Sequence, residues 1–179
     1  MKRTTRDPNE IIINGDIAEV VLRDIKQREV ARAIIDIKDV EKIRCYKWHA
    51  LKRKHGICMA TTINGNPECM PNIIMGFKSN NKHQIDHKDR NPLNNRKINL
   101  RICTHSQNQM NKNKGKNNTS GYKGVYWHKR NKKWAAHIRF NNKKYHIGYF
   151  NKKTEAAMAY NKAAVKHHGE YACLNERIL

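Results

Sequence analysis

From Lys112 to Ser120 the chain reads KNKGKNNTS, with almost no apolar side chain, so whatever it folds into must be built on either side of that run. At 179 residues and 38% hydrophobic content, one large core is poorly supplied and two small ones are expected. The expected organisation is one domain over 1–110, a basic linker over 111–120 and a second domain over 121–179.

Both parts are cationic. Residues 1–109 carry 21 Lys and Arg against 12 Asp and Glu, and residues 110–179 carry 16 against 3, for a formal net charge of +22. This exceeds what solubility asks for and points to a polyanionic partner, with nucleic acid the first candidate. The linker itself could lie along a phosphate backbone. A packaging or ribosomal-type protein has a similar balance, so the motifs must decide.

No run of about eighteen apolar residues is present, and MKRTTRDPNE at the N-terminus lacks the apolar stretch of a secretory signal; no membrane partner and an intracellular location are expected. The cysteines Cys45, Cys58, Cys69, Cys103 and Cys173 form no C-x-x-C pair. They are expected to be reduced, partly buried small hydrophobes rather than disulfides or zinc ligands.

Short β-branched stretches at 10–13, 18–22 and 33–37, broken at Asn14-Gly15 and near Lys26, predict strands joined by turns. Asp39 stands where a helix N-cap would, ahead of Val40, Ile43 and Trp48. Gly56, the Asn64–Pro67 run and Met75-Gly76 punctuate further strands, giving a β-rich support layer over 10–80.

The chemically informative segment runs from His83 to Asn108. Ile85 can anchor a strand whose end presents Asp86 and His87, and Leu100 and Ile102 can anchor a second strand by the period-two rule. Thr104 followed by Gln107 matches a capping box, which puts Asn108 in the first turn of a helix. A strand, loop, strand, helix order would let Asp86, His87 and Asn108 converge. A carboxylate and an amide carbonyl are hard oxygen donors suited to Mg2+, and an imidazole can take a proton from water near neutral pH. That combination is suited to metal-assisted phosphodiester hydrolysis.

The segment DHKDRNPLNNRKINLR followed by THSQNQMN resembles the HNH (His-Me finger) nuclease motif, as in homing endonucleases common in phages. The resemblance implies that His87 is the general base, that Asp86 and Asn108 hold a single divalent ion, Mg2+ or another such as Mn2+, and that Asn99 fixes the loop and orients the base. Gly15–Ala18, Ile35-Asp36, Tyr46–His49 and Ile74–Gly76 resemble the N-terminal part of the same group. Where many relatives read Met-His-Arg, this chain has Met70-Pro71-Asn72, which removes a histidine and a basic residue.

Beyond Gly121 the sequence turns aromatic and β-branched. Three antiparallel strands are expected over Tyr122–Trp127, Trp134–Phe140 and Lys144–Phe150, with turns at Lys129–Lys132 and Asn141–Lys143. Alternation assigns Trp134, Ala136, Ile138 and Phe140, with Tyr145, Ile147 and Tyr149, to a buried face. Thr154 would cap a helix from Glu155 to about His168 that ends at Gly169 and packs through Ala156, Ala159, Tyr160 and Ala163. The other sheet face would be cationic and free to enter a major groove.

YKGV, WAAHIR, IGYF and AAMAYNKAA make residues 120–176 similar to the AP-two/ethylene-response-factor DNA-binding domain. The resemblance implies DNA contacts from Lys123, Tyr126, Arg130, Lys132, His137, Arg139, Lys144 and His146. Tyr126 stands where that family has Arg, His137 where it has Glu and His146 where it has Trp, so no base preference transfers. The expected protein is an α+β, monomeric, DNA-nicking endonuclease acting on double-stranded DNA. The alternatives are a non-catalytic DNA-binding regulator and an RNA-binding structural protein.

Overall fold

A computed structural model describes residues 8–24, 26–53, 56–176 and 178; most of the N-terminal stretch read above as no signal, Met1–Asp7, lies outside them. The chain is α+β, with several small antiparallel sheets and short helices, and forms two compact units, Met1–Cys103 and Thr104–Leu179.

In the first unit, β1 (Ile11–Asn14), β2 (Ile17–Arg23) and β3 (Glu29–Asp36) form an antiparallel meander. A second meander follows in β4 (His49–Arg53), β5 (Gly56–Ile63) and β6 (Asn66–Cys69). Asn64 and Gly65, both at positive φ, make the tight turn between the last two. Val20, Leu22, Ile35, Ile43, Trp48, Met59, Met70, Ile74 and Leu100 build the core. Trp48 is fixed at both ends: its indole N–H donates to the Ile43 carbonyl (2.9 Å) and its backbone N–H to Asn9 Oδ1 (2.7 Å).

Sequence patterning misses three local features here. The support layer is interrupted by α2 (Met70–Met75), not a further strand: Pro71 suits the first helical turn, Met70 and Ile74 share one buried face, and Gly76 closes the helix at φ +59°. Asp39 precedes α1 (Val40–Ile43) but does not cap it with its side chain. Instead its buried carboxylate takes the ammonium groups of Lys97 (2.9 Å) and Lys42 (3.2 Å). The third concerns β7 (His83–His87) and β8 (Leu100–Thr104), which pair as a two-stranded sheet. Leu100 and Cys103, rather than Leu100 and Ile102, are buried, because the core does not extend beneath Ile102, which is 42% exposed.

In the second unit, α3 (His105–Asn111) follows β8 directly, and Thr104 and Gln107 make the expected reciprocal capping box. β9 (Val125–His128), β10 (Lys133–Phe140) and β11 (Lys143–Phe150) form an antiparallel sheet with β10 central. Asn141 and Asn142, both at positive φ, supply its two-residue turn. α4 (Lys153–His168) lies on one face, packing Ala156, Ala157, Tyr160 and Ala164 against Val125, Ala136 and Ile138. Gly124 permits this closeness. At φ +76°, a Cβ there would overlap the Tyr160 ring and the His137 carbonyl. Thr154 does not cap α4; the helix starts one residue before it, and the Glu155 carboxylate accepts the Lys152 backbone N–H (3.4 Å).

The stretch expected as a linker is tied into this unit. Ser120 Oγ donates to the Val125 carbonyl (2.8 Å), Asn118 Nδ2 to the Tyr122 carbonyl (2.9 Å), and Lys123 Nζ to the Met110 carbonyl (2.6 Å) and that of Lys112. The division between compact units therefore falls at Cys103/Thr104, ahead of that stretch. The expected buried face of β11 also changes. A bulge opposite Ala136/His137 places Gly148 against Ala136 and Tyr149 against Ala135, so Tyr149 moves to the open face while Ile147 stays inside.

Candidate active site and nucleic-acid interface

The loop between β7 and β8 is cross-linked by hydrogen bonds that its sequence only partly announces. Asp89 accepts from the Asn91 backbone N–H (2.8 Å), Asn99 Nδ2 (2.9 Å) and Asn94 Nδ2 (2.7 Å). Burial pushes its carboxyl up, but these hydrogen bonds outweigh it and hold the group below the usual carboxylate range. Asn99 is the second hub. It donates to Asp89 and to the Asn94 carbonyl (2.7 Å), and its Oδ1 accepts the Asp89 backbone N–H (3.0 Å).

The loop is also pinned to the support sheet. Ile34 bridges to Asn94: its N–H donates to the Leu93 carbonyl (2.8 Å) and its carbonyl accepts the Asn95 N–H (2.7 Å). Arg96 reaches Asp36 (2.8 Å) and Asp16 (3.0 Å), and the Lys97 N–H donates to Asp36 (2.9 Å). Burial raises the Asp36 carboxyl, yet Arg96 and the Lys97 N–H bring it below its ordinary value. Asp16 and Asp36, which looked like family markers far upstream, thus hold the loop.

At the end of β7, His87 Nε2 lies 3.2 Å from Asn95 Oδ1. Asn95 is fully buried and its Nδ2 faces the Pro92 carbonyl (3.5 Å), an amide orientation that assigns the proton to His87 Nε2 and the lone pair to Nδ1. Burial lowers the His87 pKa below its ordinary 6.5, outweighing Asn95 and the charges of Asp89 and Asp86, which raise it. The imidazole is accordingly neutral at pH 7, the form a general base needs.

Asp86 is buried on the same strand, and its Oδ2 accepts from Arg101 Nε (3.0 Å) and Nη2 (2.8 Å) on β8; the two side chains are 6% and 9% exposed. Asn108 lies on α3, in the other compact unit. An aspartate oxygen and an amide oxygen suit a hard divalent cation, so the donor types fit Mg2+. Among the described residues no cluster of three or more His, Cys, Asp or Glu is gathered. Sequence reading did not find Asn95 or Arg101. Asn95 sits in an Asn-Asn-Arg run that reads as loop, and Arg101 in a strand that reads as core; neither carries a local signal for its partner.

In the second unit the open sheet face carries Tyr126, His137, Arg139, Lys144 and His146 from the expected contact set. Arg130 and Lys132 are exposed in the β9–β10 turn. Lys123 is placed apart, with its ammonium on the carbonyls of Met110 in α3 and of Lys112 just beyond it. His137 is pushed down to about 4 by burial and then by Lys144 and His146, so it is neutral at pH 7.

Residues 78–110 match the HNH endonuclease family. The match contains Asp86, His87, Asn99 and Asn108, and it supports a nuclease or DNA-binding role. The chain is also 37% identical over 65 residues to Protein 3.8 of Escherichia phage T7, covering 36% of this chain and 54% of that one. It therefore spans about half the length of the curated relative it matches. No solved structure matches the chain. Among the described residues, no helix is long and apolar enough to cross a membrane.

Proposed function

We propose that this protein is a DNA endonuclease that hydrolyses phosphodiester bonds with one divalent metal, nicking double-stranded DNA as a monomer in the manner of homing-type enzymes. The observation that carries the reading is the half-buried His87, 3.2 Å from the buried Asn95 within the segment that matches the HNH family. His87 Nδ1 takes the proton of the attacking water, while Asn95 holds the ring in the tautomer that leaves this nitrogen basic. Asn99 acts as a positioning residue by fixing the loop that carries the strand end. Asp86 and Asn108 are the residues that would hold the metal, which when bound supplies charge stabilisation at the phosphate and at the leaving oxygen. Residues 121–179 serve as the DNA-binding part, through Tyr126, Arg130, Lys132, His137, Arg139, Lys144 and His146, with Lys123 bracing α3.

One observation favours a second reading, a non-catalytic DNA-binding protein that keeps an inactive nuclease fold: Asp86 Oδ2 is already held by Arg101. Cleavage of supercoiled plasmid separates the two. The endonuclease reading expects open circles in Mg2+ with wild type, none in EDTA, and none with His87→Ala, which should still bind DNA. Equal cutting by wild type and His87→Ala removes His87 as the base. Binding without cutting by wild type, on plasmids that include the gene's own neighbourhood, supports the second reading.

A further inference from the structure

The open face of the β9–β11 sheet carries rings as well as charge. Tyr126 lies beside His137 (centroids 5.3 Å apart) and His128 (6.4 Å); Tyr149 lies beside His128 (5.0 Å) and His146 (4.4 Å). Five rings thus form one continuous patch. Register explains how they gather: Ala135 pairs with Tyr126 on one side and Tyr149 on the other, so a methyl group separates two tyrosines in one row. His137 and His146 form the next row, followed by Arg139 opposite Lys144. The bulge that turns Tyr149 outward completes the patch and leaves it 41% exposed.

From this juxtaposition we propose that the sheet face stacks the unpaired bases of single-stranded DNA. The inference rests on the reading of this unit as a nucleic-acid interface and adds to its duplex contacts a second form of nucleic acid, an unpaired strand such as a nick leaves. Successive bases stack on aromatic rings while nearby cations follow the phosphates, and this requires base faces that a duplex keeps hidden in its own stack. Duplex DNA could meet these rings only with its groove edges or backbone. His137 is uncharged at neutral pH, so its ring offers a π-face rather than a fixed cation. Lys144, 5.2 Å from the Tyr126 ring centroid, places positive charge at the edge of the patch.

A cavity of about 470 Å³ continues from the patch, lined among others by Tyr126, His137, Lys144, Lys114 and Asn117 and, among the described residues, by no acidic one. Its volume falls within the roughly 300–1,000 Å³ of small-molecule sites, enough to take one nucleotide at the end of a stacked run.

The test uses the full chain in EDTA, so that no cleavage occurs, and fluorescence anisotropy with one labelled 20-nucleotide sequence offered as single-stranded DNA, as duplex DNA, as an abasic DNA oligomer and as single-stranded RNA. Wild type is expected to bind the single strand more tightly than the abasic oligomer. Tyr149→Leu, at an exposed position where loss of the ring does not open the core, should weaken single-strand binding about 5- to 150-fold. Tyr149→Phe, which keeps the ring, should match wild type, and duplex binding should change less than about twofold in either variant. The proposal is overturned if Leu and Phe behave alike, if abasic and normal strands bind equally, or if RNA of the same sequence binds more tightly than the DNA. Duplex binding that persists in such a case leaves the interface reading standing. Failure to bind any of the oligomers overturns both.

Discussion

Replacing Arg101 by Met would leave the Asp86 carboxylate buried without the guanidinium that now grips Oδ2 through two nitrogens. With the two side chains 9% and 6% exposed, water cannot readily substitute for the lost partner. Breaking such a pair by removing one member costs about 3–5 kcal/mol, several times the roughly 0–1 kcal/mol of an exposed ion pair. For a unit of this size each kcal/mol corresponds to about 4–8 °C, so the midpoint for Met1–Cys103 should fall by roughly 12–40 °C. The assay is thermal unfolding at pH 7.5 in EDTA followed by near-UV circular dichroism in a Trp127→Phe, Trp134→Phe background, where Trp48 is the remaining tryptophan and reports on this unit. Removing both charges together, as Arg101→Met with Asp86→Leu, should recover most of the loss, because two apolar side chains can replace a buried pair at little cost. Adding Mg2+ to Arg101→Met should raise the midpoint more than it does for wild type, since a cation that binds only the folded state stabilises it by RT ln(1 + [Mg2+]/Kd) and Asp86 no longer has to give up Arg101. A loss below about 1 kcal/mol in EDTA would refute the reasoning, because it would mean that the pair behaves as a surface contact.

Catalysis should keep its base form to unusually low pH: since burial depresses His87 below 6.5, the acid limb of the cleavage-rate profile should lie below that value, and a limb above it would contradict the assignment. His137 makes the stability of the second unit pH-dependent. Its folded value near 4 lies below the unfolded 6.5, so stability is fully present above pH 6.5 and is lost as pH falls towards 4; urea midpoints should show this decline, and His137→Phe should lessen it, leaving the part due to His168, which burial also depresses. Gly124→Ala should destabilise the same unit by roughly 2–5 kcal/mol, combining positive-φ strain with overlap on Tyr160 and the His137 carbonyl, and a urea midpoint within error of wild type would disprove the packing argument. Arg96→Met should speed hydrogen exchange at the Asn95 and Lys97 amides and slow plasmid cleavage without unfolding the protein, because it releases the loop from Asp36 and Asp16.

The local rules of the chain were legible where a residue's neighbours in sequence are also its neighbours in space. The Thr104–Gln107 capping box, the Asn141-Asn142 turn and the strands of the first meander are decided within a few residues, and pattern alone located them. The net charge of +22 and the segment around Asp86-His87 point to nucleic acid and to hydrolysis without reference to any fold. What tertiary structure decided is which side chain meets which partner across the fold. The choice of Asn95 to hold His87 depends on β3 pinning the loop at Ile34, and the burial of Arg101 depends on β7 presenting Asp86 opposite it. One inserted residue in β11 sends Tyr149 to the other face, because side-chain direction alternates with every residue and a bulge reverses the count from that point on. Sequence fixes the period within a strand, but the register between strands is settled only when the whole sheet packs against α4.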